Sequence, residues 1–75
     1  MILSDTLDIR YKLNTNGMNT IEMAQLLKSQ GVTGYLKYVN DHCIIVAVPR
    51  EDIKRNRLLL EGIRNDIGKF SRKIK

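Results

Sequence analysis

The sequence predicts one α+β domain of strand–helix–strand–strand–helix order, with a further strand expected at its end. A chain of 75 residues has room for a single domain. Apolar residues alternate with charged ones over 7–13, which is the period of a half-buried strand. Apolar residues recur at helical spacing over 23–27 and again over 53–67. Together these patterns predict two helices and at least three strands.

The first strand and the first helix have clear boundaries. The strand is predicted over 5–13 and ends in a polar turn. The helix is predicted over 20–30, with Asn19 as its N-cap and Glu22 at the third helical position, the arrangement of a capping box. Gly31 supplies the left-handed residue at which such a helix ends.

Two further strands are predicted over 33–39 and 42–48, joined by a tight hairpin turn at Asn40 and Asp41. The stretch Cys43–Val48 is apolar on both faces. A short antiparallel strand without a polar face belongs in the middle of a sheet.

The second helix is predicted over 51–66, after the strand-breaking Pro49. Residues 69–74 alternate in polarity, which predicts a short fourth strand, but the same residues also continue the helical stripe. We favour the strand because Gly68 ends helices better than it continues them. A helix extension and an irregular tail remain open.

Composition excludes several classes of protein. With only Cys43 available, no intramolecular disulfide can form, and a lone thiol is typical of a reducing compartment. No apolar run approaches the roughly 20 residues of a membrane helix, and the first residues lack the features of a signal peptide. We therefore expect a cytoplasmic protein without membrane contact. Because a domain of this size buries little surface, a homodimer is a further expectation.

The residues also give no support for metal, cofactor or nucleophile chemistry. His42 and Cys43 are the only soft ligands, and neighbours on a strand point to opposite faces. Burial within an apolar strand makes Cys43 unreactive. We expect no catalytic residues, no metal site and no cofactor.

The excess positive charge lies in the last third of the chain. Residues 1–49 contain four basic and four acidic side chains, whereas residues 50–75 contain nine basic and four acidic ones. Such asymmetry indicates an anionic partner, most often nucleic acid. The candidate phosphate contacts are Arg50, Lys54, Arg57, Arg64, Lys69, Arg72 and Lys73. The alternative is a solvated helix face whose arginines lie along the edge of the core.

The tyrosines predict a different partner. The element order is that of an RNA-recognition-motif sheet, which stacks bases on aromatic residues of its central strands. The predicted third strand has no aromatic residue, so Tyr35 and Tyr38 are expected to be core or rim residues. A protein partner would bind the edge of the second strand or, if the two tyrosines are exposed, the patch that they form. Nucleic acid and a protein partner are equally compatible with the sequence.

One short motif resembles a known family. Gly31–Lys37 resembles the acylphosphatase pattern Gly-x-x-Gly-Trp-Val-Lys/Arg-Asn, and the element order is similar from about Leu7 to Ile67. The resemblance implies a ferredoxin-like, acylphosphatase-like sandwich, with the first and third strands central and both helices on one face.

The residues that catalyse the acylphosphatase reaction are not retained. The position of the family's phosphate-binding arginine is Thr20, and that of its water-positioning asparagine is Tyr38. The glycine-rich loop corresponds to 13–19, which has one glycine. The resemblance thus implies the fold without the activity. We predict a non-catalytic accessory or regulatory binding module, with a hydrolase that has a degenerate site as the remaining alternative.

Overall fold

The computed structural model describes residues 5–71, with side chains as far as residue 69, and shows a small α+β fold. The elements are strand β1 (Thr6–Lys12), helix α1 (Thr20–Ser29), strands β2 (Tyr35–Val39) and β3 (Cys43–Pro49), and helix α2 (Ile53–Ser71). One 3-10 turn, Arg50–Asp52, precedes α2. The three strands form one antiparallel sheet in the order β1–β3–β2.

The predicted central position of the third strand is confirmed. β3 pairs with β1 over seven residues in regular register, and with β2 on its other side. The prediction that the first strand is also central is wrong within the described residues, because β1 has no neighbour on its outer side. The strand that would have covered it, predicted over 69–74, is not formed by residues 69–71.

Both helices pack on the same face of the sheet. Ile9 of β1 and Ile44 and Val46 of β3 lie on that face, and they belong to a single buried cluster with residues of α1 and α2. The helix residues of the cluster are Met23, Leu26, Leu27, Leu60, Ile63 and Ile67. Within residues 5–71, no helix packs against the opposite face of the sheet.

Helix α1 begins as the sequence predicts. The Asn19 side chain accepts a hydrogen bond from the Glu22 backbone N–H at 2.8 Å, and the Glu22 carboxylate accepts one from the Asn19 N–H at 3.0 Å. This is the predicted capping box. At the other end Gly31 has φ +89°, and Val32 N–H donates to the Leu27 carbonyl at 3.0 Å, as in a Schellman ending.

The second strand begins two residues later than predicted. Gly34 has φ +96°, which a strand residue does not adopt, so regular pairing starts at Tyr35. The preceding Thr33 is bound to the 3-10 turn and to α2 instead. Its hydroxyl donates to Asp52 Oδ2 at 2.7 Å, and its backbone groups are paired with Asn56.

Helix α2 extends through the glycine that was expected to end it. Gly68 does not have a positive φ, and the helix continues to Ser71, so the favoured strand is wrong for residues 69–71. Residues 72–74 lie outside the described part of the chain. A glycine inside a helix costs only about 1 kcal/mol relative to alanine. That cost is small enough for a helix to continue through the residue.

Candidate functional site: the open face of the sheet

The face of the sheet opposite the helices, called the open face below, carries the exposed tyrosines. Since Ile44 and Val46 point to the helices, strand alternation turns Ile45 and Ala47 to the other side. Residues opposite one another on adjacent strands share a face, so the open face includes Asp8, Arg10, Lys12, Tyr35, Tyr38, Cys43, Ile45 and Ala47.

The tyrosines stand in two parallel rows across the sheet. In one row Tyr35 is paired with Ala47, which is paired with Asp8; in the other, Tyr38 is paired with Ile45. Two residues along a strand separate these rows by about 7 Å. Tyr35 is 61% exposed and Tyr38 49% exposed. Both rings are therefore accessible on one face, at the rim of the sheet and outside the core.

Arg10 completes the second row on β1. It is paired with Ile45, which places it about 10 Å from the Tyr38 backbone, two strand spacings away. Lys12 lies further along the same strand and face. Both side chains are exposed, and neither makes an ion pair with another described residue. The open face thus combines two aromatic rings with two unpaired cations.

A third cation crosses the open face. The Lys37 ammonium donates to Asp8 Oδ2 at 3.1 Å, so its side chain spans β3 from β2 to β1. Lys37 lies at a β-bulge between Leu36 and Tyr38. The hydrogen bond with the Asp8 carboxylate raises the pKa of Lys37, with the carboxylate charge as the next cause. Lys37 is cationic at neutral pH and lies beside Tyr35.

The hairpin after β2 positions Tyr38. The Asn40 side-chain oxygen accepts hydrogen bonds from the backbone N–H groups of His42 and Cys43, both at 2.8 Å. Its amide nitrogen donates to the Tyr38 hydroxyl at 3.3 Å. Asn40 therefore links the turn geometry to the ring. The two-residue tip of the turn is Asp41 and His42, one residue later than predicted.

The predicted phosphate-binding residues that the structure describes lie on the 3-10 turn and along α2, and three of them have acidic neighbours. Arg50 pairs with Asp5 at 2.9 Å, and two others lie 3.9 Å from a helix carboxylate one turn away, Arg64 from Glu61 and Lys69 from Asp66. The remaining pair, Lys54 and Arg57, lines a groove beside Tyr11. Arg72 and Lys73 lie outside the described residues.

This groove lies on the helix side of the β1 edge. The Tyr11 ring is half-buried against the core, and the Arg64 guanidinium lies 5.3 Å from its centroid, a cation–π contact. Leu58 of α2 lines the same groove and is 72% exposed. Positive charge therefore flanks β1 on both sides, from Arg10 and Lys12 on one and from α2 on the other.

The side chains of the 13–19 loop, compared above with the acylphosphatase loop, make contacts within the protein. Thr15 is buried, and its hydroxyl donates to the Asn40 carbonyl at 3.0 Å. The Asn14 side chain accepts a hydrogen bond from the Asn16 N–H at 2.9 Å. Thr20 is the first residue of α1, and Tyr38 lies on the open face. The loop brings no arginine to this position.

Within residues 5–71, no group of three or more His, Cys, Asp or Glu side chains is placed to hold a metal ion. No helix in the same part of the chain combines the length and the apolar character needed to cross a bilayer.

Comparisons with known proteins do not assign the chain to a family. A scan against protein-family models found no match, and searches of curated proteins and of solved structures found none either.

Proposed function

We propose that this protein is a small, non-catalytic module that binds single-stranded nucleic acid on the open face of its sheet. The observation that carries the proposal is the exposure of Tyr35 and Tyr38 on the open face, which also carries the cations Lys37 and Arg10. Proteins that bind single strands combine aromatic rings, on which bases stack, with positive charge along the backbone.

The spacing of the two tyrosines supports the proposal. Rings separated by about 7 Å along the sheet can each take a different base of an extended strand. Asn40 holds Tyr38 in place before any ligand arrives, which lowers the ordering cost of binding. The phosphates would then run over the middle of the sheet toward Arg10 and Lys12.

This assignment differs from the one that the charge distribution alone predicted. The basic residues of the last third remain part of the proposal only through Lys54 and Arg57, which flank the β1 edge without ion pairs to described residues. The tyrosines, first considered as a protein-binding patch, become the stacking residues. The protein-partner alternative keeps the same residues, because exposed tyrosines also anchor protein interfaces.

We also propose that the fold is a ferredoxin-like sandwich without a fourth strand in the described residues. The strand order β1–β3–β2 and the single helix-covered face support this assignment.

Alanine at Tyr35 or Tyr38 should weaken binding of a short single-stranded oligonucleotide roughly 5- to 150-fold, since stacking on an aromatic side chain contributes about 1–3 kcal/mol per base. Phenylalanine at the same positions keeps the ring and should retain most of the affinity. A fluorescence-anisotropy titration of a labelled oligonucleotide measures both. Equal loss in the alanine and phenylalanine variants would contradict stacking.

The same titration, repeated at several salt concentrations, tests the phosphate contacts. Three to four phosphate contacts predict a slope of log affinity against log salt of about −2 to −3 for a single strand. Arg10→Ala should reduce that slope by about 0.7 and weaken all sequences alike. If no binding occurs at about 50 mM salt, the nucleic-acid proposal fails and the protein partner becomes the leading candidate.

Acyl phosphate hydrolysis should be absent. The reaction requires a positive group that stabilises the developing negative charge, and the 13–19 loop contains no arginine. The Thr15 and Asn14 side chains of this loop are engaged in the contacts described above. An assay with an aryl acyl phosphate should give turnover no higher than buffer. Turnover well above buffer that is abolished by Asn14→Ala would show that the loop is catalytic.

A further inference from the structure

The outer edge of β1 presents unpaired backbone groups. The Arg50 N–H donates to the Asp5 carbonyl, and the Leu13 N–H donates to the His42 carbonyl, so the backbone groups of residues 5 and 13 point to β3. Because this direction alternates along an antiparallel strand, the N–H and C=O groups of residues 6, 8, 10 and 12 point away from β3. Within residues 5–71 no strand pairs with them.

The two edges of the sheet are not equally suited to pairing with an added strand. The β2 edge contains a bulge between Leu36 and Tyr38, a device that discourages strand addition. β1 is regular over all seven residues, Thr6–Lys12. On its helix side Leu7 is 39% exposed, and the groove beside Tyr11 contains the exposed Leu58 together with the charged Lys54, Arg57 and Glu61. An added strand would bury these side chains.

The charges of β1 are complementary to those of a second β1 placed antiparallel to it. Consider a two-fold axis through Ile9, the middle residue of the strand. Asp8 of each copy then lies opposite Arg10 of the other, and Thr6 lies opposite Lys12. These are the residues whose backbone groups point outward, so each such pair can exchange two backbone hydrogen bonds. Ile9 faces its own symmetry mate on the helix side.

Other registers lose this match. An axis at residue 8 sets Asp8 against Asp8. An axis at residue 10 brings Asp8 opposite Lys12 but sets Arg10 against Arg10, and like charges directly opposite destabilise a strand pair. Each shift also shortens the paired segment. In the Ile9 register, Lys37 donates to Asp8 Oδ2 within the same copy. Asp8 Oδ1 can then accept a hydrogen bond from Arg10 of the other copy.

We propose that the occupant of this edge is a second copy of the chain, giving a symmetric dimer with one continuous six-stranded sheet. The two open faces join into a single surface, with the tyrosine pairs at its outer edges and the β1 cations at its centre. The dimer does not depend on the proposed nucleic-acid binding, since it rests on the edge alone.

Sedimentation equilibrium of the purified chain tests the dimer over about 1–100 μM, the range of weak specific association. Wild type should approach twice the mass of the chain. Arg10→Asp sets two aspartates against each other at two symmetric places and should raise the dimer dissociation constant at least about tenfold. Lys12→Asp makes the same charge change opposite Thr6 and should leave dimerisation nearly unchanged.

The decisive variant is the charge exchange Asp8→Arg/Arg10→Asp. It restores unlike charges across the axis and should recover the dimer that Arg10→Asp loses, with circular dichroism showing that each variant is folded. A monomeric wild type at about 100 μM would overturn the proposal and leave the edge for a strand of another protein. A double variant as monomeric as Arg10→Asp would exclude the Ile9 register and overturn the proposal too.

Discussion

Replacing Gly34 with alanine should destabilise the protein by more than about 3 kcal/mol. The residue has φ +96°, and an added Cβ would overlap the carbonyl oxygen of Ala47 and lie 3.0 Å from Cα of Val48. Both neighbours are backbone atoms of the central strand, so they cannot move without breaking the sheet. The total stability of a domain this size is roughly 4–11 kcal/mol, so the loss is a large part of it.

Gly17→Ala is the matched control. Gly17 has φ +78°, but nothing lies within 4 Å of an added Cβ, so the substitution meets only the backbone strain of about 1–2 kcal/mol. Urea denaturation of both variants separates the two costs. If Gly34→Ala is no less stable than Gly17→Ala, the backbone at Gly34 does not approach β3 as closely as described.

Replacing Asn56 with alanine should cost about 2–4 kcal/mol. Asn56 is fully buried, and its amide donates to the Thr33 carbonyl at 3.0 Å and to the Thr33 hydroxyl at 3.1 Å. Its side-chain oxygen accepts from the Thr33 N–H at 3.4 Å and from Arg55 at 3.2 Å. Truncation leaves the backbone groups of Thr33 without these partners and opens a cavity at the same place.

Two further substitutions isolate the hydrogen bonds of Asn56. Asn56→Asp has nearly the same shape but loses both donated bonds, so it should be at least as destabilising as alanine. Asn65→Ala, on the exposed surface of the same helix, should change stability by less than about 0.5 kcal/mol. Thermal or urea unfolding measures the stability of all three variants. If Asn56→Asp leaves the stability unchanged, the buried hydrogen bonds between Asn56 and Thr33 are contradicted.

The elements with local signals are the ones that the sequence predicts well. Asn19 and Glu22 define the start of α1 through contacts three residues apart, and Gly31 defines its end. β3 has no polar face, which requires a central position whatever the topology. In each case the determining interaction is local or follows from composition.

The features that the sequence does not predict depend on distant contacts. Asn56 in a helix resembles a surface residue until Thr33, 23 positions away, is placed against it. Gly68 is the residue type at which helices often end, and its sequence neighbours do not show that α2 continues to Ser71. The exposure of Tyr35 and Tyr38 depends on which face the helices cover, and that follows only from the assembled sheet.

The most direct test of the proposed function is to locate the contact surface by NMR. An ¹⁵N-labelled sample titrated with a single-stranded oligonucleotide should show amide shift changes concentrated on β2 and β3, over Tyr35–Val39 and at Cys43, Ile45 and Ala47. Changes should also reach Arg10 and Lys12 on β1. Shift changes confined to α2, or none with an oligonucleotide at low salt, would contradict binding on the open face.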